Sequence, residues 1–191
     1  FYIMKSKTID KIHPYYISIN NQKLNAISII LGSLLIAILA QISFYIPFSP
    51  VPFTGQTIGV FIIGGILGPK KGVLCILAYL TEGLVGLPVF ANMSAGFLVL
   101  IGPTAGYLYS FIPAVIMIGY FTNLNTKNKF WINTLICILI TFFILCFGTL
   151  YLSNFIGFHE AITAGFFPFV VVGVIKSIFS SVIISLYKKY V

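Results

Sequence analysis

The sequence predicts an all-α integral membrane protein: a bundle of six transmembrane helices with an outward-facing ligand pocket, lidded by the loops between spans one and two and between spans three and four. Three observations carry that expectation. The 191 residues are 59% hydrophobic and 7% charged, with no arginine, which leaves too little polar surface for a domain folded in water. Ten of the eleven lysines sit in alternate gaps between apolar stretches: Lys5, Lys7, Lys11 and Lys23 before the first, then Lys70 with Lys71, Lys127 with Lys129, and Lys188 with Lys189. That is the positive-inside pattern of an even number of spans with both termini in the cytoplasm of a cell inner (plasma) membrane. Third, two of the stretches are too short to cross unaided, so the connections between spans must reach into the membrane.

Residues 1–22 mix lysines with Asp10, His13 and Pro14 and contain no apolar run of signal-peptide length, so they form a cytoplasmic or interfacial segment. Residues 23–191 form one transmembrane domain. Span one is expected over 24–46, ending where Pro47, Pro50 and Pro52 rule out a continuing helix. Spans two (54–68) and three (72–86) are separated only by Pro69, Lys70 and Lys71, whose charges call for a water interface. At 1.5 Å per residue each reaches roughly 22 Å, against a hydrocarbon core of roughly 30 Å. The uncharged connections 47–53 and 87–103 must make up the difference on the outer side. Irregular backbone at that depth survives only where protein buries it or where it lines a cavity, which is the basis for the lidded pocket.

Spans four (103–121), five (130–153) and six (164–187) are longer. Gly102-Pro103 is expected to open span four with proline in the first helical turn, leaving N–H groups and the positive end of the dipole facing the pocket. Thr54 and Thr104 stand at helix starts, where they serve either as N-caps or as ligand contacts. The eleventh lysine, Lys176, lies alone inside the last apolar run. A bare ammonium at mid-span costs about 2.5 to 3.5 kcal/mol on insertion scales, so a partner is required.

Five blocks, in order, carry a resemblance. They are Pro50-Val51-Pro52-Phe53-Thr54-Gly55-Gln56-Thr57; Leu67-Gly68-Pro69-Lys70-Lys71-Gly72; Glu82-Gly83-Leu84-Val85-Gly86-Leu87-Pro88-Val89-Phe90-Ala91; Gly102-Pro103-Thr104-Ala105-Gly106-Tyr107; and Gly165-Phe166-Phe167-Pro168-Phe169 followed by Lys176. Together they resemble the BioY family, the biotin-binding S-components of energy-coupling-factor vitamin transporters. The resemblance implies six helices, capture of biotin from outside, and partnership with a transmembrane coupling subunit and two cytoplasmic ATPases. One departure stands out: the family's final motif carries an acid three residues before the lysine, and here that position is Gly173.

Biotin presents a carboxylate at one end, a ureido group at the other and apolar rings between, so its pocket needs one cation, a few neutral hydrogen-bonding groups and an apolar sleeve. Lys176 is expected to meet the carboxylate. Glu82, the one acid in an apolar run, is expected to meet either Lys176 or the ureido N–H groups. Asn92 and Gln56 can serve the ureido group through their amides, Asn92 alternatively capping a loop turn, while Tyr79, Phe90 and Tyr107 wall the rings or simply pack. With Gly173 in place of the acid, a related anionic cofactor such as lipoate is the alternative ligand. A carrier working alone is the alternative to an S-component. Small residues at four-residue spacing on span one, Ser28 with Gly32 and Ser33 with Ala37, are expected to dock the coupling subunit or to pack within the bundle.

Other classes fit less well. The chain has no phosphate loop, so ATP hydrolysis must come from other subunits. Its two histidines, His13 and His159, are not at metal-ligand spacing, Cys75, Cys137 and Cys146 read as small buried hydrophobes, and no nucleophile has a base, so neither an enzyme nor a metal site is expected. The lysine pairs lie at span ends without an aromatic platform, which argues for lipid headgroups over nucleic acid.

Overall fold

A computed structural model describes residues 22–125 and 129–190. The expectations for residues 1–21 and for Lys127 lie outside the described residues. Helix α1 spans Gln22–Gln41. A two-residue strand pair follows, β1 (Ser43–Phe44) antiparallel to β2 (Phe53–Thr54), with Ser43 opposite Thr54. Then come α2 (Gln56–Leu84), a 3-10 turn at Ala91–Met93, and the short α3 (Phe97–Ile101). The chain continues with α4 (Ala105–Leu124), α5 (Phe130–Ile156), the one-turn α6 (Phe158–Ala161), a π turn at Ile162–Phe166, and α7 (Phe167–Tyr190). The described residues are helical apart from their loops and one small strand pair. Among the described residues four helices are long and apolar enough to cross a membrane, with a shorter apolar helix at Asn25–Gln41.

The longest element, α2, is two helices rather than one. Gly68 adopts φ 78 and ψ 176, a conformation that favours glycine, and Pro69 follows it. A Cβ placed on Gly72 would lie 3.6 Å from the Cα of Gly64. Eight residues along a straight helix separate by roughly 12 Å, so the chain doubles back on itself at Gly68. Lys70 sits exposed at this turn, as its charge requires. Gly119 of α4 receives the turn: a Cβ there would come within 2.6 Å of the Pro69 nitrogen, so only a residue without a side chain lets α4 cross so closely.

Helix α4 runs through the middle, with α2 on one side and α5 on the other, and its Phe111, Ala114, Val115 and Ile118 are buried in the core with Val60, Phe61 and Ile63 of α2. Helix α7 closes against α5 through a polar seam, in which hydroxyls of Thr141 and Ser177 lie 2.8 Å apart, those of Thr134 and Ser181 2.7 Å apart, and the Asn133 amide donates to Ser185 at 2.9 Å. In lipid such bonds hold helices together where the hydrophobic effect does not. Lys188 donates to the Thr122 carbonyl and, at 3.2 Å, to Asn123, tying the end of α7 to the end of α4. The Gly68 turn and the C-terminal ends of α4 and α7 therefore share one end of the molecule. The strand pair, the 3-10 turn and the starts of α4 and α7 form the other.

Several boundaries differ from expectation. Helix α1 stops at Gln41 rather than 46, because the chain needs Ser43 and Phe44 extended to pair with Phe53 and Thr54. Helix α2 begins at Gln56, with Gly55 at the cap position, so Thr54 is not an N-cap; its backbone is committed to β2. Pro103 lies outside α4, which starts at Ala105 with Thr104 at the cap position making no side-chain cap bond. The amides of Ala105 and Tyr107 donate to the carbonyls of Gly102 and Thr104, so part of the expected free N–H set is spent inside the turn. Cys146 is exposed on the outer face of α5, whereas Cys75 and Cys137 are buried as expected.

Candidate functional site

A cavity of about 110 Å³ opens among the elements at the strand-pair end. A single water needs only about 10 to 15 Å³ measured the same way, so this space holds a small molecule or many waters. Its polar lining comes from Thr54 on β2, Gln56 and Thr57 at the start of α2, Ser94 after the 3-10 turn, Thr104 before α4, Thr141 on α5 and Lys176 on α7. Its apolar lining comes from Tyr45 and Phe90 in the loops, Tyr107, Leu108 and Phe111 on α4, Ile144 and Leu145 on α5, and Phe169 on α7.

Lys176 turns into this space. Its ammonium donates to the Thr54 carbonyl at 2.6 Å and lies 6.0 Å from the centre of the Phe53 ring. Among the described residues no carboxylate pairs with it, so the ammonium is held by one neutral carbonyl and an aromatic face, a set that leaves its charge uncompensated.

Gln56, which is 5% exposed, links the cavity to the core. The Thr54 hydroxyl donates to its carbonyl oxygen at 2.9 Å, and its amide nitrogen donates to the Tyr79 hydroxyl at 2.5 Å. Tyr79 is fully buried one layer behind the cavity and meets Phe90 edge to face at 5.4 Å. Phe90 itself is 1% exposed and forms part of the wall. Tyr107 is anchored at its far end, donating to the Gly165 carbonyl at 2.8 Å and lying 3.2 Å from the Thr149 hydroxyl. That carbonyl belongs to the π turn, where the wider winding changes the helical bonding. Ser49 donates to the neighbouring Ala164 carbonyl at 2.8 Å, so the loop between β1 and β2 is fastened to the same turn.

The structure thus brings Lys176, Gln56, Thr54, Phe90 and Tyr107 to one cavity, with Tyr79 behind them. Two residues expected there lie elsewhere. Glu82 accepts a 2.7 Å hydrogen bond from Ser33 on α1 and does not line the cavity; half-buried near the end of α2, it needs no buried cation. Asn92 is exposed with φ 55, accepts from the Ser43 hydroxyl at 2.9 Å and receives nothing from the cavity, which is the turn-capping alternative. Asn92 and the Met93 amide, which donates to Gln41 at 2.9 Å, pin the loop after α2 to the segment after α1.

The small-residue rows of α1 face the bundle. A Cβ on Gly32 would strike the Cys75 sulfur at 2.5 Å, and Ser33 and Ala37 are 1% and 7% exposed, so they pack internally and present nothing to a partner. Ser28 lies alongside, its carbonyl 3.9 Å from the same sulfur. Reading the residues missed Thr57, Thr141, Ile144, Leu145 and Phe111 as lining. A signal for Thr141 was present: on α5 the polar Asn133, Thr134, Thr141 and Thr149 recur every seven to eight residues, one helix face, and all four are buried.

Gly173 lies on the cavity wall, and a Cβ there would meet the Thr141 methyl at 2.6 Å. Thr141 fills the space that a side chain at 173 would take.

The BioY family model matches residues 13–191. A probable biotin transporter BioY of Pyrococcus horikoshii is 37% identical over 138 residues, covering 72% of this chain and 80% of the relative. The biotin transporter BioY of Thermotoga maritima is 37% identical over 145 residues, covering 75% and 85%. A probable biotin transporter BioY of Rickettsia prowazekii is 32% identical over 175 residues, covering 91% and 88%. A crystal structure of the S-component for biotin from an ECF-type ABC transporter superposes with a TM-score of 0.82 at 28% identity, covering 89% of this chain and 94% of that one.

Proposed function

The chain belongs to the BioY family, and on that premise we propose that it is the multi-pass membrane subunit that captures biotin for uptake, with a transporting rather than enzymatic role. The observation that carries the reading is the Lys176 ammonium, turned into the cavity and held, among the described residues, by a carbonyl and a ring alone. An anionic ligand end completes that set, and the aromatic walls on α4 and α7 suit the apolar rings. Thr57, Ser94 and Thr104 supply neutral groups of the kind a ureido ring requires, with no carboxylate among them.

In this reading six helical segments cross the membrane: α1, the two arms of α2, α4, α5 and α7. The cavity faces outward under the loops 42–55 and 85–104, and both termini lie in the cytoplasm of the inner (plasma) membrane. Support for that orientation comes from Lys70, Lys71, Lys129, Lys188 and Lys189, which belong to segments at the end away from the cavity. A membrane coupling subunit and two cytoplasmic ATPases would supply the energy, since the chain carries no phosphate loop of its own. The lipid-facing side of α1, with Ile27, Ile30, Leu31, Leu34 and Ile38 exposed, is then the face open to lipid or to that subunit, and the inward rows are not.

The test is calorimetric titration of the detergent-purified protein with biotin, dethiobiotin and lipoate. Biotin and dethiobiotin, which share the ureido group, are expected to bind more tightly than lipoate, which lacks it. Binding of lipoate with no binding of biotin would show that the cavity serves a different anionic cofactor. Uptake of labelled biotin with and without co-expressed coupling subunits separates an S-component from a carrier that works alone.

A further inference from the structure

The contacts of Thr54, Gln56 and Tyr79 contain a proton-order problem whose solution assigns a role to a residue that never touches the ligand. In one orientation of the Gln56 amide, the Thr54 hydroxyl donates to its carbonyl at 2.9 Å and its nitrogen donates to the Tyr79 oxygen at 2.5 Å. The Tyr79 O–H then has no acceptor, although Tyr79 has 0% exposure and, among the described residues, no other hydrogen-bond partner. A buried donor left without an acceptor is costly, and the two ends of a glutamine amide are distinguished only by the network around them. Turning the Gln56 amide over removes the cost at the same heavy-atom positions. Tyr79 then donates to the Gln56 carbonyl, and the Gln56 amide donates to the Thr54 oxygen. The Thr54 O–H is thereby released from Gln56 on the cavity wall.

Thr54 is also the residue whose backbone carbonyl holds the Lys176 ammonium at 2.6 Å. The freed hydroxyl and the ammonium are therefore presented from one place, and both are donors. We propose that Tyr79 is a positioning residue that, through Gln56, orients the Thr54 hydroxyl to donate to the ligand's carboxylate beside Lys176. The inference rests on the biotin-capture reading for its ligand class and adds to it a second carboxylate contact, together with the buried tyrosine that sets it.

The test is a double-mutant cycle of Tyr79→Phe and Thr54→Val, read by calorimetry with biotin and separately with lipoate, both carboxylates, and with melting temperature recorded for every variant. Tyr79→Phe is expected to weaken binding roughly ten- to a hundredfold in the unaltered background, the size of one hydrogen bond to a charged group. In the Thr54→Val background the same change is expected to alter binding by less than about twofold, because there is no hydroxyl left to orient. Thr54→Ser, which keeps the hydroxyl, is expected to retain the Tyr79 dependence. Equal weakening by Tyr79→Phe in both backgrounds, or no weakening in either, overturns the relay while leaving biotin capture intact. If the unaltered protein binds lipoate but not biotin, the biotin reading fails and the lipoate cycle still decides the relay. If it binds neither, both fall.

Discussion

At the residue scale the proposed function rests on Lys176, because its surroundings compensate so little of its charge. A carbonyl and a ring hold the ammonium, and the ligand's carboxylate is the counter-charge the account supplies. Gly173 matters for the opposite reason, since it keeps volume away from Thr141. Gly173→Ala is expected to cost about 1 to 3 kcal/mol of stability through overpacking, measured as a lowered melting temperature in detergent. Thr141→Ser, which removes the methyl that the new Cβ meets at 2.6 Å, is expected to recover most of it. Lys176 was legible in the sequence because a charge inside an apolar run is expensive wherever the run goes. Glu82 was not legible, because its carboxylate is satisfied once Ser33 arrives from 49 residues away, and Asn92 was legible only as one of two alternatives, its partner Ser43 being as distant. Only the fold could bring those hydroxyls close.

Among the elements, the π turn before α7 and the start of α4 are joined through Tyr107, whose ring also packs onto Gly148 of α5. A Cβ on Gly148 would fall 2.2 Å from that ring. Gly148→Ala is therefore expected to displace Tyr107 from the cavity wall, breaking its bonds to Gly165 and Thr149. The expected loss is about 1 to 3 kcal/mol of stability together with weaker biotin binding, checked by thermal melting and calorimetry on the same preparation. The doubled-back α2 could be read in advance from Gly68-Pro69-Lys70-Lys71, where a helix breaker meets two charges. The π turn could not, since Ile162–Phe166 carries no breaker and only its neighbours Ser49 and Tyr107 reveal what its carbonyls do. Gly32, Ser33 and Ala37 of the small-residue rows of α1 pack within the chain, one of the two alternatives left open, because spacing alone does not say whether the partner is the same chain or another.

For the molecule as a whole, the lysine alternation was the most legible feature, because a topology signal depends on counts in gaps and not on where any side chain points. The described lysine pairs fall in segments remote from the cavity, consistent with capture on one side and delivery to the other. In a cysteine-free background, Lys70→Cys is expected to react with a membrane-impermeant maleimide only when the cytoplasmic face is opened, and Tyr45→Cys at the cavity is expected to react in intact cells. The reverse labelling would turn the bundle over and make the cavity inward-facing. The central claim is tested most directly by titrating biotin and its uncharged carboxamide into the unaltered protein and into Lys176→Ala. The unaltered protein is expected to favour biotin, and the variant to lose about 2 to 5 kcal/mol toward biotin while binding the carboxamide almost as before. Equal affinity of both proteins for biotin would contradict the account.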